Sequence, residues 1–216
     1  MAVTSERRII PPPREPGTDV EVMHGVSHGM WGVVIFIASE VMFFGALFTS
    51  YFYLRAQHPE WQPPEGARPG VFPFTSRDVA DVLPTLNTVI LVSSSFVIQW
   101  AVGQLRRGNR RNFIRGLIAT IVMGVAFLSG QGYEYSRLFA EHLVPQSGIF
   151  GGVFFGLTGF HGAHVTGGVV FFLVMLWRTL QGNFSSRRHL AVEAASIYWH
   201  FVDVVWLGLY TTIYIL

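Results

Sequence analysis

Five apolar runs dominate the chain, separated by polar segments rich in arginine, proline or glycine. Trp31–Tyr53 spans 23 residues with one charge, Glu40, and Leu83–Leu105 spans another 23 with none. Gly116–Tyr133 adds 18 uncharged residues, extendable through Glu134 toward Leu138. Leu143–Trp177 carries two histidines and no formal charge, with Pro145 ahead of the helix proper, and Leu190–Leu216 closes the chain. At 1.5 Å per residue a helix needs about 20 apolar residues to cross a ~30 Å hydrocarbon core. The pattern therefore predicts five transmembrane helices, at about 30–54, 83–105, 113–138, 148–178 and 189–215. Barrel strands would alternate over ~10 residues, and no such alternation occurs. The expected fold is all-α, an integral membrane bundle.

The flanking segments define the rest of the layout. Residues 1–28 are polar, and Pro11-Pro12-Pro13 forbids a helix there, so they read as a tail and not as a cleaved signal peptide. The first loop, roughly 55–80, holds five prolines and reads as a surface segment without regular structure. Arginine fixes the orientation. The tail, the 106–115 loop and the 178–188 loop fall on one side and hold eleven arginines, against Arg55, Arg68, Arg77 and Arg137 on the other. The positive-inside rule then predicts a cytoplasmic N-terminus and an external C-terminus.

Composition agrees with this picture. Half of the residues are hydrophobic and only 13% are charged, where a soluble domain averages about 25%. There is no cysteine, which removes disulfides, iron–sulfur clusters and thiolate metal sites. The net charge of +2 gives no reason to expect nucleic acid. All fifteen basic residues are arginine. The arginine-rich 106–115 loop reads as a solvated cytoplasmic loop, with contact to anionic headgroups as the alternative.

Ionisable groups inside spans are costly, so they face the bundle interior and mark function or interhelical bonding. Glu40 lies nine residues past Trp31, about 14 Å along its helix and so near mid-membrane. Burial there favours the neutral acid unless a histidine partner is close. It reads as a proton-relay or gating acid, or as a hydrogen bond to a neighbouring helix. His161 and His164 stand three apart in the fourth span, and Glu193, His200 and Asp203 share a stripe of the fifth. Facing each other, these groups could ligate zinc or copper, or could form a polar network without metal. Gln131 with Glu134, and Asn87 with Ser93-Ser94-Ser95, read as interhelical bonds. Gly148, Gly152 and Gly156 recur every four residues, the spacing that lets backbones approach, so the fourth helix is expected to be central or pressed against a partner. No internal repeat is visible, which weakens a transporter reading.

Several blocks resemble a known family. They are Phe36-Ile37-Ala38-Ser39-Glu40 with Phe43-Phe44, Leu86-Asn87-Thr88-Val89-Ile90-Leu91, and Gln131-Gly132-Tyr133-Glu134-Tyr135. Two more are Thr158-Gly159-Phe160-His161-Gly162-Ala163-His164-Val165, and Glu193 followed by Tyr198-Trp199-His200-Phe201-Val202-Asp203-Val204-Val205-Trp206. Over roughly residues 25–216 the chain resembles subunit III of the haem–copper oxidases, the cytochrome c oxidase subunit III family, in a short five-helix bacterial form lacking the first two helices of longer members.

The resemblance implies a non-catalytic subunit of a respiratory terminal oxidase in the bacterial plasma membrane. It implies that this chain holds neither haem nor copper, those being expected in partner subunits. It further implies packing beside subunit I, with subunit II and other respiratory complexes as further partners. Bound phospholipid in a cleft, and support of proton uptake and oxygen access, belong to the same implication. Glu40 matches the family's mid-membrane carboxyl near that cleft. His161, His164, Glu134, Glu193, His200 and Asp203 are expected to form a buried polar network. Where longer members often carry an acid and a tyrosine before the fourth helix, this chain has Gln146 and Phe150. A proton or ion transporter, or a metal-dependent membrane enzyme using the buried Glu/His/Asp cluster, is the alternative outside the family. A quinol oxidase subunit or a nitric-oxide-reductase accessory protein is the alternative within it.

Overall fold

A computed structural model describes residues 28–58, 79–182 and 190–215. The expected tail and most of the first loop lie outside the described residues. Five helices account for nearly everything else: α1 His28–Gln57, α2 Val79–Arg106, α3 Arg110–Ala140, α4 Ile149–Leu180 and α5 Leu190–Tyr210, the last continued by a π turn, Thr211–Ile215. All five are long and apolar enough to cross a membrane, and there is no strand among the described residues. With 30 residues in α1 and 32 in α4, these helices reach about 45 Å, so their ends extend beyond the hydrocarbon core. The protein is a multi-pass membrane bundle.

Local chemistry sets the connections. The chain leaves α2 through Gly108, whose φ of 78° is open to glycine, and Asn109 caps α3 by accepting the Asn112 N–H at 3.2 Å. This tight turn lays α3 directly along α2. Packing between them relies on glycine: a Cβ at Gly116 would stand 2.6 Å from the Cβ of Ala101. At Gly130 a Cβ would collide with the side-chain amide of Asn87.

Two tryptophans fill the centre. Trp199 of α5 wedges between α3 and α4, where a Cβ on Gly168 would come within 2.7 Å of its ring and one on Gly124 within 3.0 Å. Trp206 lies two turns further on, edge-on to Phe127 with centroids 4.8 Å apart. Both indoles are completely buried. Without a hydrophobic driving force between helices in lipid, such close fit and interhelical hydrogen bonds hold the bundle together.

Helix α4 packs on α1, α3 and α5, as expected of a central helix, but not through the Gly148, Gly152 and Gly156 stripe. Its close approaches are made at Gly168, against Trp199, and at Gly151, against the Val144 carbonyl. Gly156 and Gly162 have nothing within 4 Å of a built Cβ, and Gly152 meets only the Pro145 carbonyl at 3.5 Å. The four-residue stripe therefore does not draw another helix of this chain close. The reason is rotational: α5 covers the face bearing Gly168, while Gly156 and Gly162 turn away from it.

Helix α1 differs from the rest. It packs on α4 and α5, yet Phe44 and Tyr51 are its only buried residues among those described. The Phe48 ring lies 3.1 Å from a Cβ built on Gly208 of α5, and the Tyr51 hydroxyl donates to the Thr212 carbonyl at 3.1 Å.

Candidate functional site

The ionisable residues of the spans separate into distinct groups. The first joins α1 to α4. Glu40 Oε2 lies 2.8 Å from His164 Nε2, and His164 Nδ1 lies 2.7 Å from the Phe160 carbonyl one turn back. A carbonyl oxygen only accepts, so Nδ1 carries a hydrogen. One proton is then left for the gap between Nε2 and Oε2. Aromatic rings wall it in: Phe44 meets the imidazole edge-to-face at 5.0 Å and Phe43 lies at 6.2 Å. About one fifth of each side chain remains exposed, 18% for Glu40 and 19% for His164. Among the described residues neither side chain bonds a third side chain. The Tyr198 hydroxyl reaches only the His164 carbonyl, at 3.0 Å.

The second group lines the seam between α2 and α5, which run antiparallel. Arg106 pairs with Glu193 at 2.5 Å, and Gln99 receives both Ser196 at 3.4 Å and His200 at 3.3 Å. The Trp199 indole donates to Ser94 at 2.8 Å, and Ser95 donates to the buried carboxyl of Asp203. Further out, the Trp206 indole donates to Thr88 at 2.9 Å, and the Thr85 and Tyr210 hydroxyls share a bond at 2.8 Å. Partner numbers fall on α2 as they rise on α5, which makes a ladder along the length of both helices.

A third group gathers at the C-terminal end of α3. Glu134 accepts from the Tyr214 hydroxyl at 2.7 Å and from Gln131 at 3.3 Å. The π turn places Tyr214, because its wider winding follows α5 and carries the ring inward. Tyr135 and Thr158 share a hydroxyl bond at 2.6 Å, which ties α3 to α4 nearby.

His161 stands apart. It is 1% exposed, stacks on Trp206 at 5.1 Å and meets Phe127 edge-on at 5.9 Å. Neither ring nitrogen has a hydrogen-bond partner among the described residues.

A single network joining α4 to α5 through His161, His164, His200 and Asp203 is therefore not formed. The expectation took His161 and His164 as one face because they stand three apart. Three residues leave about 60° of rotation on a helix. That rotation turns His161 into the aromatic core and His164 out to α1. Glu193, His200 and Asp203 do share a face, as their spacing implies, but that face meets α2. Glu134 bonds the π turn instead of a histidine. Among the described residues no three of His, Asp and Glu come together as a metal-ligand set.

The sequence motif assigns no role to Trp199 and Trp206, two fully buried indoles that each donate one hydrogen bond to α2. The indole N–H was the available signal, since a buried donor demands an acceptor. The interhelical role expected of Ser94 and Ser95 matches their observed bonds.

Comparison with known proteins adds a separate line of information. The family profile described as cytochrome c oxidase subunit III matches residues 16–216. The chain is 38% identical over 204 residues to a cytochrome c oxidase subunit 3 of Thermostichus vulcanus, covering 93% of this chain and 94% of the relative. It is 40% identical over 188 residues to the cytochrome c oxidase subunit 3 of Synechocystis sp., covering 87% and 75%. To a probable cytochrome c oxidase subunit 3 of Mycobacterium leprae it is 39% identical over 183 residues, covering 85% of each.

Proposed function

We infer that this chain, which belongs to the cytochrome c oxidase subunit III family, serves its oxidase as a scaffold without a redox centre of its own. It is a multi-pass membrane subunit of a haem–copper oxidase. The proposal is that it packs beside subunit I in a bacterial plasma membrane with its N-terminus in the cytoplasm. There it holds phospholipid and supports proton uptake and oxygen access to the catalytic subunit.

The Glu40–His164 pair carries this reading. It joins α1 to α4, walled by phenylalanines and bonded to no further side chain among the described residues. A conduit through this subunit would need a succession of donors and acceptors from one surface to the other. A lone pair can bias protons or position α1, but it does not relay them across the bilayer. The same isolation disfavours a transporter, and the absence of a converging ligand set among the described residues disfavours a metal-dependent enzyme.

Two results test the proposal. Gentle purification should bring the chain out with a haem–copper catalytic subunit. Oxidase from which this subunit has been stripped should keep its haem spectrum and still reduce oxygen. Isolation as a stable, active monomer, or loss of oxygen reduction with haems intact, would overturn it.

A further inference from the structure

At the start of α3 a recess of about 430 Å³ is lined by Arg110, Arg111, Ile114 and Arg115. Arg110 is already engaged: it donates to the Thr179 carbonyl at 2.6 Å and the Leu180 carbonyl at 3.1 Å at the C-terminal end of α4. Among the described residues Arg111 and Arg115 have no hydrogen bond or ion pair, in contrast to Arg106, which Glu193 satisfies. Two exposed guanidinium groups thus stand one helical turn apart beside an apolar wall, with no acidic partner among the described residues.

What lies below them decides the ligand. Following Arg111 and Arg115, the exposed face of α3 continues through Ile118, Val122 and Val125, at steps of three and four residues. From Arg115 to Val125 is ten residues, about 15 Å, or half of a ~30 Å hydrocarbon core. A soluble anion would use the arginines and ignore the stripe. An apolar protein helix would use the stripe and leave the arginines unpaired. A molecule with a phosphate at one end and a chain the length of one leaflet uses both. The guanidinium fork suits phosphate oxygens, and its charge disfavours a zwitterionic headgroup relative to an anionic one.

We propose that Arg111 and Arg115 hold the phosphate of an anionic phospholipid whose acyl chain lies along Ile118, Val122 and Val125 on the outer face of α3. This site is on a different helix from the Glu40–His164 pair, and it stands whether or not that pair affects proton uptake.

The test uses the intact oxidase complex in detergent, partly delipidated, and follows retained lipid by native mass spectrometry during titration with phosphatidylglycerol. Arg111→Gln/Arg115→Gln should lose one tightly held phosphatidylglycerol, its affinity falling roughly tenfold or more. Arg107→Gln, an arginine in the same loop that does not line the recess, should leave that affinity unchanged. In the wild-type complex, phosphatidylcholine should bind this position weakly and inorganic phosphate should not displace the lipid. These wild-type measurements stand even if the double variant assembles poorly. Equal affinity in the double variant would overturn the proposal, as would an equal loss in Arg107→Gln. Phosphatidylcholine binding as tightly would overturn it too. Displacement by inorganic phosphate would make this an anion site with no part for the acyl chain, and a partner side chain found on the two arginines would assign the recess to a protein interface.

Discussion

The seam between α2 and α5 and the contact between α1 and its neighbours solve the same problem in opposite ways. Along the seam, hydrogen bonds recur from Glu193 to Tyr210 and two buried indoles fill the space between them. Helix α1 meets α4 through one side-chain pair, Glu40 with His164, and through phenylalanine rings; toward the fifth span it adds the Tyr51–Thr212 bond and close contacts at Gly29 and Gly208. Individual interhelical hydrogen bonds in membrane proteins average only about 0.6 kcal/mol. A ladder of them therefore resists the loss of any one polar rung, while a lone pair concentrates its role in two residues. The seam spreads its polar contacts over many residues, and α1 concentrates its polar contact with α4 in two.

The largest expected effect probes the seam at its packed centre. Trp199→Ala removes the ring that Gly124 and Gly168 make room for, together with the bond to Ser94. It should cost about 3–5 kcal/mol, by analogy with large-to-small changes in packed cores. The check is the detergent or temperature at which this subunit leaves the purified complex. A loss below about 1 kcal/mol would mean that polar rungs alone hold the seam, and the contrast would collapse.

The second probe is at Glu40. Glu40→Gln keeps a group that can donate to His164 but removes the carboxyl proton. Assembly and haem spectra should be unchanged, while turnover falls modestly or shifts in its pH dependence. Complete loss of turnover with assembly intact would give this subunit a larger part in proton delivery than proposed. Turnover identical to wild type at every pH would reduce the pair to packing.

The smallest effect is expected at Gly156, where a built Cβ meets nothing within 4 Å. Gly156→Ala should change the stability of the bundle by less than about 0.5 kcal/mol. Subunit retention in the complex is the sharper measurement. If retention drops while the bundle is unaffected, the glycine face of α4 is where a partner subunit comes close, and the small-residue spacing reports an interface outside this chain.

Much of this was legible in the sequence because a bilayer imposes a length. Five long apolar runs could only be five helices, and the polar stripe of Glu193, His200 and Asp203 had to face inward. What the sequence could not reveal was which helix lay opposite. Helix rotation and neighbour choice depend on side-chain fit summed over the bundle, as at Trp199 between Gly124 and Gly168. The partners of Asp203 and Glu193 therefore came from α2 and not from the histidines. His161 and His164 show the limit most plainly, since a rotation of about 60° divides one motif between a dry aromatic core and a proton-sharing pair. The membership of the chain in its family was readable from the same motif without any of this geometry.

The Phe160 carbonyl, which fixes the hydrogen on His164 Nδ1, has a consequence for an energised membrane. Because that hydrogen is committed, the only charge free to move in the pair is the proton between Nε2 and Oε2, and the gap is 2.8 Å between heavy atoms. Its travel is then on the order of 1 Å in a ~30 Å core, even if directed wholly along the membrane normal. A full crossing is worth about 2.3 kcal/mol per 100 mV, so this displacement senses less than about 0.1 kcal/mol, well under thermal energy. Proton transfer within the pair is therefore nearly insensitive to transmembrane voltage, and an effect of Glu40→Gln that did change with membrane energisation would have to come from proton exchange with the surroundings.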